Sequence, residues 1–379
     1  MVETMISAPT FDKGLAAKCK TSPESEKTAP DIQAPLATII IVNHNYGQFL
    51  GRCIRSVDQQ DYLNIQCIVL DCASTDDSLS AIEEALGRAT KPVFQVIQRN
   101  VNQGHLVNCL SALDHAKGTF LNYLDADDFL FPEFVSTHIK AHLNDLNSAA
   151  LSVTDQIQVD EAGQVLAGTC HWHQKWRAFE QGTAWMELTH ARTSALNSPL
   201  RMEQMDVSRL HYIPAWWSSW VMERWIWSTT SGIVFRKSVI ESFALSLEQS
   251  KDLPLLDLGF DSYFARLAHS VGGTLVVDSA QGAYRRHGKN LWSSHPVLGG
   301  QTPSGSRDQI RRFQDCQRVA RHTLMTKHRD LARLLGGELY YSIAWQLMSN
   351  KEFLAFVQGH EEDRTIWEKT IAGVGATKP

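Results

Sequence analysis

Asp125-Ala126-Asp127-Asp128 places three carboxylates within four residues, directly behind the apolar run Phe120–Leu124. That run reads as a buried strand, so the acids stand where the strand leaves its sheet. Clustered carboxylates repel one another and are costly to hold together unless a cation shares them. Hard oxygen ligands suit Mg²⁺ or Mn²⁺, which commonly take one or two carboxylates and fill the remaining positions with phosphate oxygens and water. A solvated acidic turn capping the helix after Pro132 is the plainer alternative. The four residues alone do not separate the two.

The elements before the acids narrow the choice. Ala37–Val42 is a β-branched run suited to a central parallel strand, and Leu50, Cys53, Ile54 and Val57 after it keep helical spacing. Gln66–Leu70 reads as a second strand, with a helix from about Ser78 to Arg88 capped by Thr75 or Asp76. Val93–Gln98 is a third strand, a helix covers about 106–116, and Thr119–Leu124 is the fourth strand. Strands and helices alternating in this way predict a doubly wound α/β sheet, which binds ligands at the carboxyl ends of its strands. Asn43–Asn45, Asp71–Asp77, Asn100–Gly104 and Asp125–Asp128 all fall at those ends.

The second half is less regular. Strands or a hairpin are expected at Leu151–Val159 and Gly163–Cys170, a strand at Ser231–Phe235 and a helix over about 237–246. A further helix is expected over Gly259–Val271 and a strand at Thr274–Val277. From Ser306 onward, helices with a basic face (Arg311, Arg312, Arg318, Arg321, Lys327, Arg329, Arg333) form a C-terminal extension. The organisation expected is a leader over 1–35, a nucleotide-binding α/β half over 36–150, a second half of the same domain over 151–298, and the helical extension over 299–379.

The chain has 379 residues, enough for a large core, and its 43% hydrophobic and 20% charged residues are those of a soluble globular protein. A net charge of −5 gives no global drive toward nucleic acid, so no nucleic-acid partner is expected. The seven scattered cysteines form no CxxC pair and read as reduced thiols. No signal-peptide pattern and no apolar run near the ~20 residues of a membrane span are present, which leads to a cytoplasmic expectation.

With these elements in order, residues 37–290 resemble the family 2 glycosyltransferases, which have the nucleotide-sugar-binding GT-A fold. "IIIVNHNYGQFLGRCIRSVDQQDY" is similar to the family's opening strand and helix, and "CIVLDCASTDDS" to its Val-Asp-Asp-Gly-Ser-Thr-Asp segment. "NVNQGHLVNCLSALDHAKGTFLNYLDADD" resembles its Asn-x-Gly, Ala-x-Gly and Asp-x-Asp series. The resemblance implies a GT-A-like, mostly parallel sheet and a nucleoside-diphosphate sugar donor, a UDP-sugar. It further implies that Asp71 accepts the imino proton of the base, that Asn45 and Asn102 line the nucleotide cleft, and that Asp125 meets the ribose or the metal. Asp127 would hold Mg²⁺ or Mn²⁺ against the diphosphate, with Asp128 a less certain third acid. "LDLGFDSYFARLAHSVGG" resembles the acidic motif that supplies the acceptor-activating base, which points to Asp261, with Asp257 as fallback. "YRRHGKN" resembles the family's Tyr-Arg-x-His segment, implying a phosphate contact from Arg285 or Arg286 and a metal or diphosphate contact from His287. Cys72-Ala73 replace the family's frequent Asp-Gly, and His44 its usual Tyr, which leaves donor-base specificity open.

On this reading the reaction is a metal-dependent, inverting sugar transfer to a hydroxyl of a glycan or lipid-linked cell-surface precursor. A nucleotidyltransferase would place a Gly-rich, Arg/Lys-bearing loop after the first strand, and "VNHNYGQF" has none; a non-catalytic carbohydrate-binding or scaffold protein remains the other alternative. Cys170, His171 and His173 lack the second half of a structural zinc site. Eight of the eleven tryptophans fall in residues 171–227. They form either a small core or an acceptor surface, with Trp216 and Trp217 beside Pro214 the more exposed pair expected. The basic C-terminal helices read as a solvated face or as peripheral contact with the inner face of an anionic membrane.

Overall fold

The computed structural model describes residues 33–91, 94–168, 210–215, 225–246, 249, 251–255, 258–290 and 307–374. Trp216, Trp217, Asp257, Cys170, His171, His173 and most of the expected leader lie outside them.

Four strands, β1 (Ala37–Asn43), β2 (Ile65–Cys72), β3 (Phe94–Arg99) and β4 (Phe120–Asp125), run parallel in the order β3-β2-β1-β4. They alternate with α1 (Gly47–Asp58), α2 (Ser78–Gly87) and α3 (His105–Ser111). The doubly wound architecture is legible in β1 itself. Ile39 and Ile41 face a layer containing Leu50, Ile54 and Val57 of α1, while Ile40 faces the opposite layer with Leu106 and Cys109 of α3. Strands buried on both faces need apolar residues at every position, which is why β1 reads as an unbroken run.

Beyond β4 the chain makes the short β5 (Phe129–Leu130), then α4 (Phe134–Asn144) and β6 (Leu151–Val159). β7 (Val165–Ala167) folds back antiparallel on β6, and β8 (Leu210–Ile213) pairs with the start of β10. A single 3₁₀ turn, Thr230–Gly232, leads into β9 (Ile233–Arg236), which lies antiparallel between β4 and β6. α5 (Lys237–Phe243) and α6 (Phe260–Gly272) follow, and the long β10 (Thr274–Arg285) completes the order β3-β2-β1-β4-β9-β6-β10-β5. β10 was expected only over Thr274–Val277. It continues to Arg285 because two register shifts against β6, after Val277 and after Ala280, let it curl without ending.

α6 is anchored by Phe260, Tyr263, Phe264, Leu267 and Ala268, all buried at helical spacing. The Phe260 ring lies 3.9 Å from that of Tyr123 and 4.6 Å from that of Phe264, centroid to centroid. A buried aromatic of this kind is worth roughly 3–5 kcal/mol against alanine, and here it fixes the start of the helix that carries Asp261. The helix stops at Gly273, whose φ of 73° suits glycine, with its N–H bonded to the His269 carbonyl.

The C-terminal extension consists of α7 (Arg307–Thr326), α8 (His328–Leu335), α9 (Gly337–Leu347), α10 (Asn350–Gln358) and α11 (Arg364–Val374). Tyr340, Tyr341, Phe353 and Leu324 join the same apolar cluster as Phe260 and Ile40, so these helices extend the main core. Trp227 is fully buried in that cluster, its Nε1–H donated to Thr274 Oγ1 at 3.0 Å, and Trp225 packs against it. For these two tryptophans, core packing is what the structure shows. Among the described residues, no helix is long and apolar enough to cross a membrane.

Candidate active site

The carboxyl ends of β1, β2 and β4 are level. Asn43 pairs with Asp71 in one register and Val42 with Asp125 in the other. Asn43 is buried and donates from Nδ2 to Asp71 Oδ1 at 2.8 Å and to Ser74 Oγ at 3.0 Å. Asp71 itself is almost wholly buried and also accepts the Ser74 N–H at 3.3 Å. A carboxylate offers about four acceptor directions, so further donors are still accommodated.

Asn45, at a φ of 61°, accepts the Thr75 N–H at 2.7 Å and ties the loop after β1 to the loop after β2. Asn102 behaves similarly: its Oδ1 accepts the Gly104 N–H at 3.0 Å and Asn108 Nδ2 at 2.7 Å. Gly104 sits at a φ of 85°, a conformation that favours glycine. These asparagines shape the rim by holding its loops. His44 donates Nδ1–H to the Cys72 carbonyl at 2.8 Å, in the stretch where this chain departs from the family's motif.

The three acids occupy different environments. Asp125 is the last residue of β4 and pairs with His105, Nε2 to Oδ1, at 3.1 Å. Asp127 is buried and accepts Nε2–H of His287 at 2.8 Å. The Lys289 N–H points at His287 Nδ1 at 3.2 Å, which puts the ring proton on Nε2. Burial raises the Asp127 carboxyl and nearby Asp125 adds to the rise, against the opposing His287 hydrogen bond. Asp128 is 1% exposed, with Oδ1 accepting the Arg285 backbone N–H at 2.9 Å and Oδ2 the Ser231 hydroxyl at 2.7 Å. Burial, then Asp127 and Asp125, push its carboxyl well above the ordinary range. Both oxygens of this third acid are therefore engaged within the protein.

The "YRRHGKN" segment divides its two arginines. Arg285 is 3% exposed and turns inward: Nε donates to the Asp127 carbonyl at 2.8 Å, and Nη1 to the carbonyls of Glu161 at 2.7 Å and Asp160 at 3.2 Å. Its guanidinium also lies 4.8 Å from the centre of the Phe49 ring. Arg286 is half-buried and its Nη1 has no hydrogen-bond partner. His287 rests against Phe49 and Tyr46, with centroids at 5.3 and 5.5 Å. Burial and then Asp127, Asp125 and Asp128 push the Tyr46 hydroxyl up to about 12.

Asp261 lies in the first turn of α6, where its Oδ1 accepts the Ser262 N–H at 2.7 Å. Burial raises its carboxyl and Asp125 adds to the rise, while His105 pulls it down.

Sequence reasoning did not single out His105, Tyr46 or Ser231, and it placed Asn43 only within the rim cluster Asn43–Asn45. His105 carries the first turn of α3 to both halves of the site, since its Nδ1 accepts the Phe260 N–H at 3.1 Å. Burial opposes charge on this ring, whereas Cys109 and Asp125 favour it and raise its proton affinity well above that of ordinary imidazole. The Phe260 N–H nevertheless requires a lone pair at Nδ1, so the arrangement seen is the neutral ring with its proton on Nε2. The only sequence signal for His105 was its place after the Asn-x-Gly turn.

Asp125, Asp127 and His287 offer carboxylate oxygen and imidazole nitrogen, a donor set that suits Mg²⁺ or Mn²⁺. Burial raises the carboxyls of Asp127 and Asp128 and repulsion among the acids adds to the rise, a repulsion that a divalent cation would relieve. Among the described residues no three such side chains converge as a finished cage. A cation here would draw its remaining ligands from phosphate and water.

A doubly wound sheet with acids and asparagines along its carboxyl rim places the chain among the open α/β proteins, whose ligands bind at that rim. Residues 38–196 match the model of glycosyl transferase family 2. Chondroitin synthase from Escherichia coli is 27% identical over 140 residues, covering 37% of this chain and 20% of the synthase. The GalNAc(5)-diNAcBac-PP-undecaprenol β-1,3-glucosyltransferase of Campylobacter jejuni is 31% identical over 103 residues, covering 27% of this chain and 33% of that enzyme. The match thus spans a third or less of either relative. Among solved structures, residues 1–349 of Staphylococcus aureus TarS with UDP-GlcNAc align over 89% of this chain and 79% of that one, at 13% identity and a TM-score of 0.47.

Proposed function

We propose that this chain is a metal-dependent, inverting glycosyltransferase that moves a sugar from a UDP-sugar to a hydroxyl of a glycan or lipid-linked cell-surface precursor. One observation carries the reading: the family-matched rim bearing Asp71, Asp125 and Asp127 is joined through His105 to the first turn of α6, where Asp261 lies. The relatives support it by name, as enzymes that assemble glycans.

Asp71 binds the base of the nucleotide, and Arg286 takes a phosphate with its unpartnered Nη1. Asp125, Asp127 and His287 would hold the cation, which would supply positive charge to the departing diphosphate. Asp261 accepts the proton of the attacking hydroxyl as its oxygen bonds to the anomeric carbon and the bond to the diphosphate breaks. A carboxyl raised by burial is better matched to that proton transfer near neutral pH.

The reaction belongs in the cytoplasm, at the inner face of the membrane if the acceptor is lipid-linked. Part of the charge on the basic extension is engaged within the chain. Arg318 pairs with Asp315, Arg321 lies 3.8 Å from Glu352, and Lys327 Nζ donates to the Ser242 carbonyl.

Calorimetry with UDP, with and without Mn²⁺, tests the donor site. Metal-dependent binding is expected, and its absence removes the transferase reading. Asp261→Asn should lower turnover by about 10²–10⁴-fold, the range of a lost general base, while UDP affinity stays close to that of the unaltered protein. An Asn variant that transfers normally would show that the base is elsewhere.

A further inference from the structure

We infer that His105 is a positioning residue that fixes the acceptor-side carboxylate Asp261 relative to the donor-side carboxylate Asp125. The inference rests on the transferase reading for its consequence and on geometry alone for the link itself.

One imidazole makes both connections. Its Nε2–H meets Asp125 Oδ1 at 3.1 Å, at the tip of β4, and its Nδ1 accepts the Phe260 N–H at 3.1 Å, in the first turn of α6. The first N–H groups of a helix have no partner within the helix. At α6 the capping residue is Gly259, which makes no side-chain cap bond. His105 supplies that cap from 155 residues away in sequence. A second bond runs beside it, from the Leu106 N–H to the Leu258 carbonyl at 3.2 Å. The start of α3 is thus stitched to the start of α6 by one backbone bond and one side chain, and only the side chain continues to an acid of the rim.

Asp261 follows Phe260 directly, and its own Oδ1 is tied to the Ser262 N–H at 2.7 Å. A change in the placement of Phe260 is therefore transmitted to the carboxylate. Phe260 is fully buried against Tyr123, the residue two before Asp125 on β4, so packing sets the helix approximately and the imidazole sets its final approach. Neutral histidine is suited to this task because one nitrogen donates and the other accepts. A lysine, a serine or an apolar residue could not serve a carboxylate and an N–H at opposite edges of one rigid ring.

The test compares His105→Phe, which keeps a flat ring without either bond, with His105→Gln, which keeps one donor and one acceptor. Three quantities are read on the full chain: hydrogen exchange at the Phe260 amide, affinity for UDP with Mn²⁺, and UDP release from UDP-glucose, UDP-N-acetylglucosamine and UDP-glucuronate. In the Phe variant, Phe260 exchange should quicken by about tenfold or more as its bond opens. Turnover should fall by about 10²-fold, the cost of a misplacement near 1 Å, a larger loss than that in UDP affinity, which changes only as far as Asp125 misses its imidazole partner. The Gln variant should recover most of both losses, a recovery that loss of packing alone would not produce.

Unchanged Phe260 exchange in the Phe variant overturns the link, and so does a Gln variant as impaired as the Phe variant. If the Phe variant does not fold, ¹⁵N shifts of the His105 ring in the unaltered protein decide, with a protonated Nε2 and a bare Nδ1 expected. The opposite tautomer overturns the inference. Absence of UDP binding and UDP release in the unaltered protein would remove the transferase reading, yet exchange and ring shifts would still decide the link.

Discussion

Arg285 and Arg286 are adjacent, and the sequence offers no way to rank them as phosphate ligands; the structure predicts opposite responses to mutation. Arg285→Lys is the sharper perturbation because it keeps the charge. The guanidinium makes three hydrogen bonds to backbone carbonyls, those of Asp127, Asp160 and Glu161, in a position that is 3% exposed. Hydrogen bonds from a charged donor contribute roughly 1.5–3 kcal/mol each, and a carbonyl left buried without a partner costs a similar amount. A lysine ammonium at the end of a flexible stem regains one such bond and lacks the planar fork that reaches the others. Two lost bonds amount to about 3–6 kcal/mol, and at roughly 2 °C per kcal/mol for a unit of this size the melting temperature should fall by about 6–12 °C. Arg286→Ala removes a buried Nη1 that has no partner, so the melting temperature should hold or rise slightly. If Arg286 meets the diphosphate, its loss should weaken UDP binding by about 10–100-fold, the equivalent of one charge-assisted bond. Thermal unfolding and calorimetry with UDP and Mn²⁺ on the two variants provide the assay. An Arg285→Lys protein that melts normally but binds UDP poorly would refute the reasoning. So would an Arg286→Ala protein with unaltered affinity.

Two further predictions concern stability and pH. Asp261 has a folded-state pKa raised above its unfolded value by burial, so the folded state holds more protons within that window and its stability falls as pH rises through it. Asp261→Asn should therefore melt at or above the temperature of the unaltered protein at pH 7 and lose that advantage in acid, as differential scanning calorimetry at pH 3 and pH 7 would show; a lower melting temperature at pH 7 contradicts it. His142, 4% exposed and with its ring 4.6 Å from that of Phe120, shows the opposite sign. Burial, then Arg236, lower it from 6.5 to about 3, so the unfolded chain takes up the proton first and stability is lost as pH falls from 6.5 toward 3. At pH 5 that loss is about 2 kcal/mol. His142→Phe should flatten the pH dependence of the melting temperature between pH 5 and 7, and an unchanged slope would show that the ring is not buried as a neutral group.

What could be read from the sequence and what could not divide along a physical line. β1, β2 and β4 are central parallel strands, apolar on both faces, and each delivers its polar residue one step past the run, so Asp71 and Asp125 could be located without coordinates. Asn45 and Asn102 could be located too, because turns that need a residue at positive φ or a side-chain acceptor draw on few residue types. The interactions that organise the site follow no such period. Ser231 reaches Asp128 across 103 residues, His287 reaches Asp127 across 160, and His105 reaches Phe260 across 155. Local pattern carries no record of those pairings, since each partner alone is consistent with a surface polar residue or a turn. The same limit explains Arg285, whose acceptors are backbone carbonyls and leave no side-chain signature at Asp160 or Glu161. It also explains β10, whose two register shifts hide its full length from any search for strict alternation. The acid cluster read first thus has a division of labour that only packing supplies. Asp128 is tied inward to Ser231 and to the Arg285 backbone, which fixes the turn. That leaves Asp125 and Asp127, each paired with one imidazole, as the carboxylates that would share a cation.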